Sequence, residues 1–476
     1  MTAPAGAVRP VVVGAGPAGL AAAYALARAG LRPLVLEASA KIGGISRTER
    51  MDGNRYDLGG RRFFTKSAEV DALWDEFADE PLLVRPRLSR IYYDGKFYDY
   101  PLRLGNALTN MSVRRSALVL ASYVAARARR DTDAQSFEAW VVDRSGRRLY
   151  RMFFESYTEK VWGRPCSEIS ADWAAQRIRD LSLGKALLNA ARLGRGNAIT
   201  TLIDEFRYPR LGPGQLWEAC AEKCRALGVE IALGERVVEL ETEGPEDGPT
   251  VVGVHTRDSG GEERTHACDW LVSSMPLRDL VAGFPQKPGF VEQAAAALEY
   301  RGFLVAACVV DRTNLFPDNW IYVHSATVRV ARVQNFGNWS PAMVAEAGTS
   351  CLGAEFFGDP GDDLWSRPDE EIAALAANEL RALGLLERGS LLRTQVTRVP
   401  DAYPVNWRDH ARSFAPLRSW LRALPNVVCV GRNGQHRYNN MDHSMMTALV
   451  AAAEIGGQDA LDPWAVNEDA VYHEQQ

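Results

Sequence analysis

Residues 11–44, VVVGAGPAGLAAAYALARAGLRPLVLEASAKIGG, decide the fold of this chain. The three valines at 11–13 predict a buried parallel strand, and the alanine- and leucine-rich stretch 20–29 predicts a helix. After Gly30, the run PLVL at 33–36 predicts a second strand. A strand, a glycine turn, a helix and another strand form the unit from which nucleotide-binding α/β domains are built.

Three glycines and one acid give this unit a chemical meaning. Gly14, Gly16 and Gly19 have the spacing G-x-G-x-x-G, and Glu37 closes the second strand 18 residues later. Gly14 allows the tight turn, Gly16 lets the backbone approach a pyrophosphate, and Gly19 lets the helix pack closely on the strand. The helix N-terminus offers N–H groups to phosphates, and Glu37 can accept hydrogen bonds from ribose hydroxyls. The full context favours dinucleotide binding over a structural glycine turn.

The residues that follow favour FAD over NAD. Gly43 and Gly44 come shortly after the acid and are followed by Arg47. A second glycine pair lets another backbone loop approach the cofactor, and the guanidinium group offers charge to a phosphate. The arrangement resembles the glycine-pair extension of the FAD-binding fold shared by amine oxidases, protoporphyrinogen oxidase and UDP-galactopyranose mutase.

The length and composition limit the classes of protein to which this chain can belong. The chain of 476 residues is too long to form a single compact core, so we expect two or three structural units. A net charge of −5 gives no reason to expect nucleic acid or a membrane surface as a partner, and no apolar run reaches the ~18 residues of a spanning helix. We expect no signal peptide, because the fingerprint strand begins at residue 11. Seven cysteines without a C-x-x-C pair predict reduced thiols and a cytoplasmic protein, and the histidine spacing predicts no metal site.

Two motifs follow the fingerprint. Residues 55–64, RYDLGGRRFF, predict a strand that enters a glycine loop, with Arg61 directly after the glycines. Two interpretations stay open for this loop. In the first it contacts flavin or an anionic ligand, and in the second it is a solvated turn. Residues 89–102 predict a β-hairpin, because aromatic residues alternate around Asp94-Gly95.

A helical, arginine-rich stretch follows from 104 to about 193. Its basic residues are more typical of a solvated helix face than of a nucleic-acid site, given the negative net charge. Within it, the motifs at 157–163, YTEKVWG, and 173–178, WAAQRI, bring aromatic residues and an arginine together in the sequence. Taken alone, these motifs favour aromatic residues of the core with a capping arginine. The wall of a ligand cleft is the less favoured interpretation.

The C-terminal part carries the second strong motif. A strand at 426–430 leads to the loop GRNG at 431–434, and residues 436–445, HRYNNMDHSM, enter a helix. Amide, N–H and arginine donors ahead of a helix N-terminus suit the electron-rich N1/O2 edge of a flavin. A capped helix is the alternative, with Asp442 or Ser444 as the expected N-cap, and capping can coexist with the flavin role.

The expected fold is α/β, with a Rossmann-type FAD-binding domain, a helical insertion domain and an antiparallel β-sheet substrate domain. Residues 300–400 support the sheet, because they contain mostly strand patterns and one helix at about 368–385. The predicted boundaries are 1–88, 201–290 and 401–476 for the FAD-binding domain, 89–103 for a hairpin joining the substrate sheet, 104–200 for the helical domain and 291–400 for the substrate domain.

Motifs along nearly the whole chain resemble UDP-galactopyranose mutases, especially the eukaryotic branch. The C-terminal residues GRNGQHRYNNMDHSMM, preceded by VPDAYPV, match the flavin loop of this family. The likeness continues in the same order through YDLGG at 56–60, KFYDYPL at 96–102, YTEKVWG at 157–163, WAAQRI at 173–178, FRYPRLGPGQLW at 206–217 and ARVQNFGNWSP at 331–341. The resemblance implies reduced FAD as the active cofactor, a nucleotide-diphosphate sugar as the ligand and NAD(P)H as a candidate external reductant.

The resemblance also implies roles for individual residues, which are carried over position by position. The matched positions are Arg177, Arg332, Tyr403 and Tyr438 for the diphosphate, Tyr157, Thr158 and Trp162 for the nucleotide and sugar wall, Arg432 for the FAD phosphates, and Asn440, Met441 and Asp442 for the flavin edge. Arg177 and Arg332 are therefore candidate catalytic residues.

The chain departs from the family pattern at two positions. Arg61 stands where the family has a histidine close to the flavin, so a fixed cation replaces a group that changes protonation near neutral pH. A fixed cation favours anionic reduced flavin or a bound anion, which makes Arg61 a third candidate catalytic residue. Arg103, a candidate substrate-binding residue, stands where the family motif YPFQ offers a glutamine to the nucleobase, so a nucleobase other than uracil or a different phosphate ester is open.

Three functional hypotheses follow. The leading one is a mutase-like flavoenzyme that rearranges a nucleotide-diphosphate sugar at the anomeric carbon by pyranose/furanose isomerisation. The alternative, motivated by Arg61, is an FAD-dependent oxidoreductase of the amine oxidase and protoporphyrinogen oxidase type that oxidises a small molecule or sugar. A flavin-binding protein without catalysis is disfavoured, because retaining FAD does not require a cleft rich in arginine and tyrosine. The sugar, the nucleobase, the reductant, the oligomeric state and the pathway stay open.

Overall fold

The computed structural model describes residues 8–100, 110–128, 135–171, 205–405, 410–459 and 461–467. Within these residues lie a parallel sheet, a larger mostly antiparallel sheet and a group of helices beside the larger sheet. The predicted α/β class is therefore confirmed.

The fingerprint unit forms the centre of a five-stranded parallel sheet. The strand order is Val427–Cys429, Trp270–Ser273, Pro10–Val13, Leu34–Glu37 and Glu230–Leu233. The two fingerprint strands pair from Val11 with Leu34 to Val13 with Leu36. Because all neighbours are parallel, the carboxyl ends of strands from three distant parts of the chain meet at one edge. This edge is where dinucleotides bind in such sheets.

Helices cover both faces of the parallel sheet, since its strands are apolar on both sides. One face carries the helices Pro17–Arg28, Ala68–Phe77, Pro213–Ala226 and Met441–Ile455. The other face carries Leu277–Ala282, Gly289–Ala296 and His410–Ala423. The fingerprint helix begins at Pro17, ahead of the predicted 20–29, because a proline at the first helical position lacks only an N–H that has no partner inside the helix.

The larger sheet, called the substrate sheet here after the prediction from the sequence, has seven strands. Their order is Leu391–Val405, Glu299–Val310, Ser350–Phe357, Arg332–Asn335, Trp320–Val323, Ser89–Tyr93 and Lys96–Asp99. All neighbours are antiparallel except Trp320–Val323 and Ser89–Tyr93. The helix Asp369–Ala382, predicted at about 368–385, covers one face of the sheet. The opposite face packs against the helical region and holds the candidate ligand contacts.

The predicted hairpin joins the substrate sheet at its edge. Its strands Ser89–Tyr93 and Lys96–Asp99 pair in antiparallel register around Asp94-Gly95. Both turn residues have positive φ, 53° and 76°, as the tightest hairpin turns require. This prediction is confirmed.

The helical region contains Val113–Ala128, Phe137–Ser145, Arg147–Tyr150 and Ser156–Trp162, with a π-helical turn at Arg151–Glu155. Among the helices that the structure describes, none is long and apolar enough to cross a bilayer. The predicted motif at 173–178 lies outside the described residues.

The remaining elements connect these layers. The strands Arg236–Glu243, Thr250–Arg257 and Glu263–Ala267 form a meander, while Thr48–Met51 pairs with Asn54–Asp57 and Leu83–Pro86 pairs with Glu205–Tyr208. The short helices are Phe336–Trp339, Asp363–Ser366 and Gly431–Gly434, and the 3₁₀ turns are Gly44–Ser46, Pro341–Met343 and Pro463–Ala465. The strand Leu391–Val405 runs through the predicted boundary at 400, so the division into domains remains a proposal.

All seven cysteines are free and buried in the structure. Burial raises the pKa of the Cys268 and Cys429 thiols to about 12, because the thiolate loses its hydration in the apolar interior. These thiols are therefore protonated and serve as packing groups in the core.

Candidate functional site

The fingerprint turn is packed so tightly that glycine is required. Gly14 has φ 99° and its N–H donates to the Leu36 carbonyl at 2.8 Å. A Cβ on Gly19 would lie 1.7 Å from the Gly14 carbonyl oxygen, which is far inside van der Waals contact. The helix Pro17–Arg28 can therefore approach the turn only without a side chain at position 19.

The N-terminus of the fingerprint helix faces a second glycine loop. Its N-cap is Gly16, and no side chain caps the helix. A Cβ on Gly44 would lie 3.2 Å from the Gly16 Cα, and the Gly43 N–H donates to the Ala15 carbonyl at 2.8 Å. The fingerprint turn at 14–16 and the glycine pair at 43–44 thus expose backbone without side chains beside a helix N-terminus, and the two together are called the cradle. This geometry fits the phosphates of a dinucleotide.

Glu37 and Arg47 both have protein partners at this cradle. The Glu37 carboxylate accepts hydrogen bonds from the Ala15 N–H at 2.7 Å and the Ser39 N–H at 2.9 Å. Arg47 donates to Glu49 at 2.7 Å and to the Gly44 carbonyl at 3.0 Å. The structure therefore shows Arg47 holding the glycine-pair turn, while its contact to a phosphate remains a prediction.

The C-terminal loop packs against the fingerprint helix. A Cβ on Gly431 would lie 2.8 Å from the Ala18 Cβ, and the Gly431 N–H donates to Thr447 Oγ1 at 2.9 Å. The helix that follows begins at Met441, with Asn440 as its N-cap. The fingerprint helix and the C-terminal loop, far apart in sequence, thus lie beside each other.

The expected N-cap of this helix was wrong. Asn440 and His443 form a reciprocal capping box, in which the Asn440 N–H donates to His443 Nδ1 at 3.2 Å. Asp442 lies in the first turn, where it is buried, and Ser444 Oγ donates to the Asn440 carbonyl at 2.9 Å. Sequence reasoning missed Asn440 as the cap because several residues able to cap occur within five positions.

Arg61 reaches the glycine-pair turn. Its guanidinium group donates to the Ile45 carbonyl from Nε at 3.3 Å and from a terminal nitrogen at 3.2 Å. A Cβ on Gly60 would lie 1.8 Å from the Trp320 ring, so the glycine loop lies directly on the substrate sheet. The structure therefore brings Arg61 between the proposed cofactor cradle and the substrate sheet.

Asp57, four residues before Arg61, is a buried acid. Its carboxyl group accepts hydrogen bonds from the Tyr208 hydroxyl and from Thr48 Oγ1, the latter at 2.8 Å. Burial raises its pKa to about 7, although these hydrogen bonds and the charge of Arg61 act in the opposite direction. At neutral pH the group is therefore partly protonated.

This pKa predicts a dependence of stability on pH. The carboxyl group of an unfolded aspartate has a pKa of about 4. Because the pKa of Asp57 is higher in the folded protein, its contribution to the free energy of unfolding is complete below the unfolded pKa and is lost as the pH rises through about 7. Between about pH 5 and 8 we expect the free energy of unfolding to fall more for the wild type than for Asp57→Asn, which does not titrate. Urea unfolding of both proteins at the two pH values measures the difference. An equal change in both would contradict the assignment.

Arg332 lies on the side of the substrate sheet that packs against the helical region. Across the strands it pairs in register with Tyr322 on one side and with Glu355 on the other. Its guanidinium group contacts the Glu355 carboxylate at 2.6 Å and donates to the Tyr403 hydroxyl at 3.2 Å. Glu355 is fully buried, and Gln334 also donates to it. An ion pair thus lies at the centre of the sheet.

Tyr403, Tyr438 and Arg432 join the substrate sheet to the flavin loop. The two tyrosine rings stack at 5.8 Å with an angle of 14°. The Arg432 guanidinium lies 4.6 Å from the Tyr438 ring centre and 5.3 Å from that of Tyr403. Arg432 also donates to the carbonyls of Asn439 at 2.9 Å and Ala402 at 3.2 Å. Arg432 therefore connects the two layers, and its contact to FAD phosphate stays a prediction.

The helix Ser156–Trp162 provides the wall beside Arg332. Thr158 and Trp162 are buried, and the Tyr157 ring stacks on His324 at 4.7 Å with an angle of 7°. Tyr157 also meets Tyr322 edge to face at 5.6 Å. The predicted wall residues thus lie on one short helix that packs on the sheet.

Sequence reasoning missed several residues of this site. The missed side chains are Glu355, Gln334, Trp320, Tyr322 and His324. A lone acid inside the apolar strand SCLGAEFF and the alternation of Trp320, Tyr322 and His324 were signals that could have found them. Arg103 and Arg177, which were predicted, lie outside the described residues.

Solved structures share this fold over almost the whole chain. Reduced UDP-galactopyranose mutase has a TM-score of 0.82 and 23% identity, covering 97% of this chain and 98% of the other. Putrescine oxidase bound to putrescine has a TM-score of 0.61 and 18% identity, covering 95% of this chain and 100% of the other. At these identities the likeness establishes the fold.

Several similar curated proteins are named as oxidases. Putrescine oxidase of Kocuria rosea is 44% identical over 70 residues, 15% of each chain, and L-amino-acid oxidase of Crotalus adamanteus is 37% identical over 109 residues, 20% of this chain and 21% of the relative. These matches span no more than 21% of the relatives' own length. The family described as flavin containing amine oxidoreductase matches residues 17–456. Because this match spans most of the chain, the protein belongs to the flavin containing amine oxidoreductase family.

Proposed function

We propose that this protein is an FAD-dependent, mutase-like enzyme that binds a nucleotide-diphosphate sugar and rearranges it at the anomeric carbon. The observation that carries the proposal is the junction of the flavin loop and the substrate sheet. There Arg332 donates a hydrogen bond to the Tyr403 hydroxyl, and the Tyr403 ring stacks on Tyr438 beside Arg432. The Arg332 guanidinium group and two phenol hydroxyls in one place suit the oxygens of the ligand's diphosphate, and Arg432 beside them is the proposed contact of the FAD phosphates.

Arg332 is the proposed anchor of the ligand. Its Nε is buried and has no hydrogen-bond acceptor in the part of the chain that the structure describes. Leaving such a donor unpaired costs about 1–3 kcal/mol, so a ligand oxygen at this position recovers that free energy. Glu355 keeps the guanidinium in place, while Tyr157 and Trp162 are the proposed wall for the nucleotide and sugar.

The cofactor is proposed to lie along the fingerprint turn, with its phosphates at Gly14, Gly16 and the helix N-terminus and its ring edge at residues 440–442. Reduced FAD supplies a nucleophile that is recovered unchanged, so the isomerisation needs no net oxidant. Arg61 would stabilise negative charge on the reduced ring, since it is always protonated. NAD(P)H is the proposed external reductant.

An FAD-dependent oxidoreductase is the second candidate. The names of the curated relatives and the fixed cation Arg61 favour it. This enzyme would remove hydride from a small molecule, and its flavin would bleach when substrate is added without air. Absence of bleaching with amines, amino acids and sugars would count against this candidate.

The test of the leading proposal uses dithionite-reduced protein and a panel of UDP-, GDP- and dTDP-sugars, with the products separated by chromatography. We expect an isomer of equal mass that forms only with the reduced protein. If no isomer forms and a compound instead bleaches or reoxidises the flavin, the oxidoreductase function replaces the mutase function.

Replacing Arg332 by lysine tests the diphosphate contact. Lysine keeps the charge beside Glu355 and loses the planar, multi-donor geometry, so we expect nucleoside-diphosphate affinity to fall roughly 10- to 100-fold. Titration calorimetry with UDP measures the effect. The control is Arg257→Lys, because Arg257 is exposed and pairs with the exposed Glu263 in the three-stranded meander, away from Arg332. Equal affinities for both variants would remove Arg332 from the ligand contacts.

A further inference from the structure

Lys160 has an unusual set of partners. It lies on the helix Ser156–Trp162, one turn after Tyr157, and its ammonium group donates to three backbone carbonyls. The acceptors are Val323 at 3.2 Å, Ser325 at 2.6 Å and Val330 at 3.1 Å. No carboxylate of the described residues forms a salt bridge with it, so its direct hydrogen-bond partners are carbonyl dipoles.

Two of these carbonyls flank His324, the residue on which Tyr157 stacks. The His324 ring is buried, and its backbone N–H donates to the Tyr92 carbonyl at 2.9 Å. Burial and then the charge of Lys160 lower its pKa to about 3, so the ring stays neutral at physiological pH. A neutral ring of fixed orientation can support Tyr157 from behind.

The loop 324–331, which contains His324, is held from its other side by Glu379. The Glu379 carboxylate accepts from the Arg329 N–H at 2.8 Å and from the Val330 N–H at 2.7 Å. Lys160 therefore binds the carbonyls and Glu379 binds the N–H groups of the loop 324–331. Arg332 follows immediately, as the first residue of the strand Arg332–Asn335.

We propose that Lys160 is a positioning residue: its ammonium group clamps the loop 324–331 and so holds Tyr157 and Arg332 at the separation that the ligand requires. The inference rests on the proposed function, because Tyr157 and Arg332 are its ligand contacts. Lys160 itself touches neither cofactor nor ligand in this proposal.

The charge state of Lys160 offers a signature that packing alone would not produce. Burial lowers the pKa of Lys160 to about 8, while the charge of Glu379 acts in the opposite direction. The charged or titratable groups that act on it are Glu379 and the neutral His324, on whose ring Tyr157 stacks. A neutral amine has two N–H donors for three carbonyls, so one acceptor loses its partner above this pH.

The experiment replaces Lys160 by alanine and adds n-propylamine, which restores the three carbons and the ammonium group that were removed. Two quantities are measured, the dissociation constant of UDP and the hydrogen exchange of peptides covering 152–163 and 319–332. Lys160→Met keeps the packing without the charge, and its filled site should not respond to the amine. The matched control is Lys96→Ala, because Lys96 is exposed and donates to one carbonyl, that of Asn110, at 2.7 Å.

We expect Lys160→Ala to weaken UDP binding roughly tenfold, as the loss of a charge-assisted contact does, and to speed exchange in both peptides. Propylamine should restore both quantities in Lys160→Ala alone. In the wild type, UDP affinity should fall as the pH rises through about 8, and Lys160→Met should lack this step. Unchanged exchange in Lys160→Ala, or a pH step that persists in Lys160→Met, would overturn the inference. If the wild type binds no nucleoside diphosphate, the proposed function fails, and hydrogen exchange with amine rescue still decides the role of Lys160.

Discussion

Gly19→Ala is expected to give a folded protein that does not retain FAD. The new Cβ would lie 1.7 Å from the carbonyl oxygen and 2.9 Å from the carbonyl carbon of Gly14, both of which are backbone atoms. Since backbone cannot rotate away as a side chain can, the helix Pro17–Arg28 must move off the turn. Overpacking of this kind costs about 1–3 kcal/mol, and here it removes the N–H groups from the phosphate cradle.

The measurement is the visible flavin absorbance per protein after purification and after reconstitution with excess FAD. Circular dichroism shows whether the variant is folded. The matched control is Gly289→Ala, because Gly289 begins a helix with open space around its Cα and no positive φ. A Gly19→Ala protein with full flavin content would show that the phosphates bind elsewhere.

Glu355→Ala is expected to cause the largest loss of stability among single changes in the substrate sheet. Glu355 is fully buried, and its carboxylate lies 2.6 Å from the Arg332 guanidinium, which is itself mostly buried. Removing one partner leaves an uncompensated charge in the interior, which costs about 3–5 kcal/mol. Urea unfolding of the wild type and the variant measures the difference in the free energy of unfolding.

A double variant separates stability from binding. In Arg332→Met/Glu355→Leu both charges are replaced by apolar groups, so we expect most of the stability to return while UDP binding is lost. The exposed pair of Glu346 and Arg393 supplies the control, and Glu346→Ala should change stability by less than about 1 kcal/mol. If Glu355→Ala behaves like Glu346→Ala, the buried pair does not exist in solution.

Patterns local in sequence predicted much of the fold. The glycine spacing identified a turn in which Gly14 has φ 99°, and Asp94-Gly95 identified a hairpin whose two turn residues both have positive φ. In each case the interaction that selects the residue lies within a few positions along the chain. The N-cap at Asn440 was missed because residues 440, 442 and 444 all carry capping side chains, and packing of the helix chose among them.

The substrate site could be predicted only in part. Arg332, Tyr403, Tyr157 and Tyr438 were expected as ligand contacts. The structure connects Arg332, Tyr403 and Tyr438 with Arg432, and Tyr157 packs on Tyr322, the strand neighbour of Arg332. Their partners were not expected. Glu355 was hidden in a strand, and Lys160 lay unremarked in the middle of the motif at 157–163.

The sequence by itself determined the fingerprint unit, the hairpin and the α/β class, because backbone geometry and hydrophobic period act over short stretches of chain. Only the tertiary structure decided how the charges pair. Arg332 meets Glu355 across neighbouring strands, and Lys160 meets three carbonyls more than 160 residues later. Such pairs form because burying a charge is costly without a partner, and the partner is whichever group the packing of the sheet brings within reach.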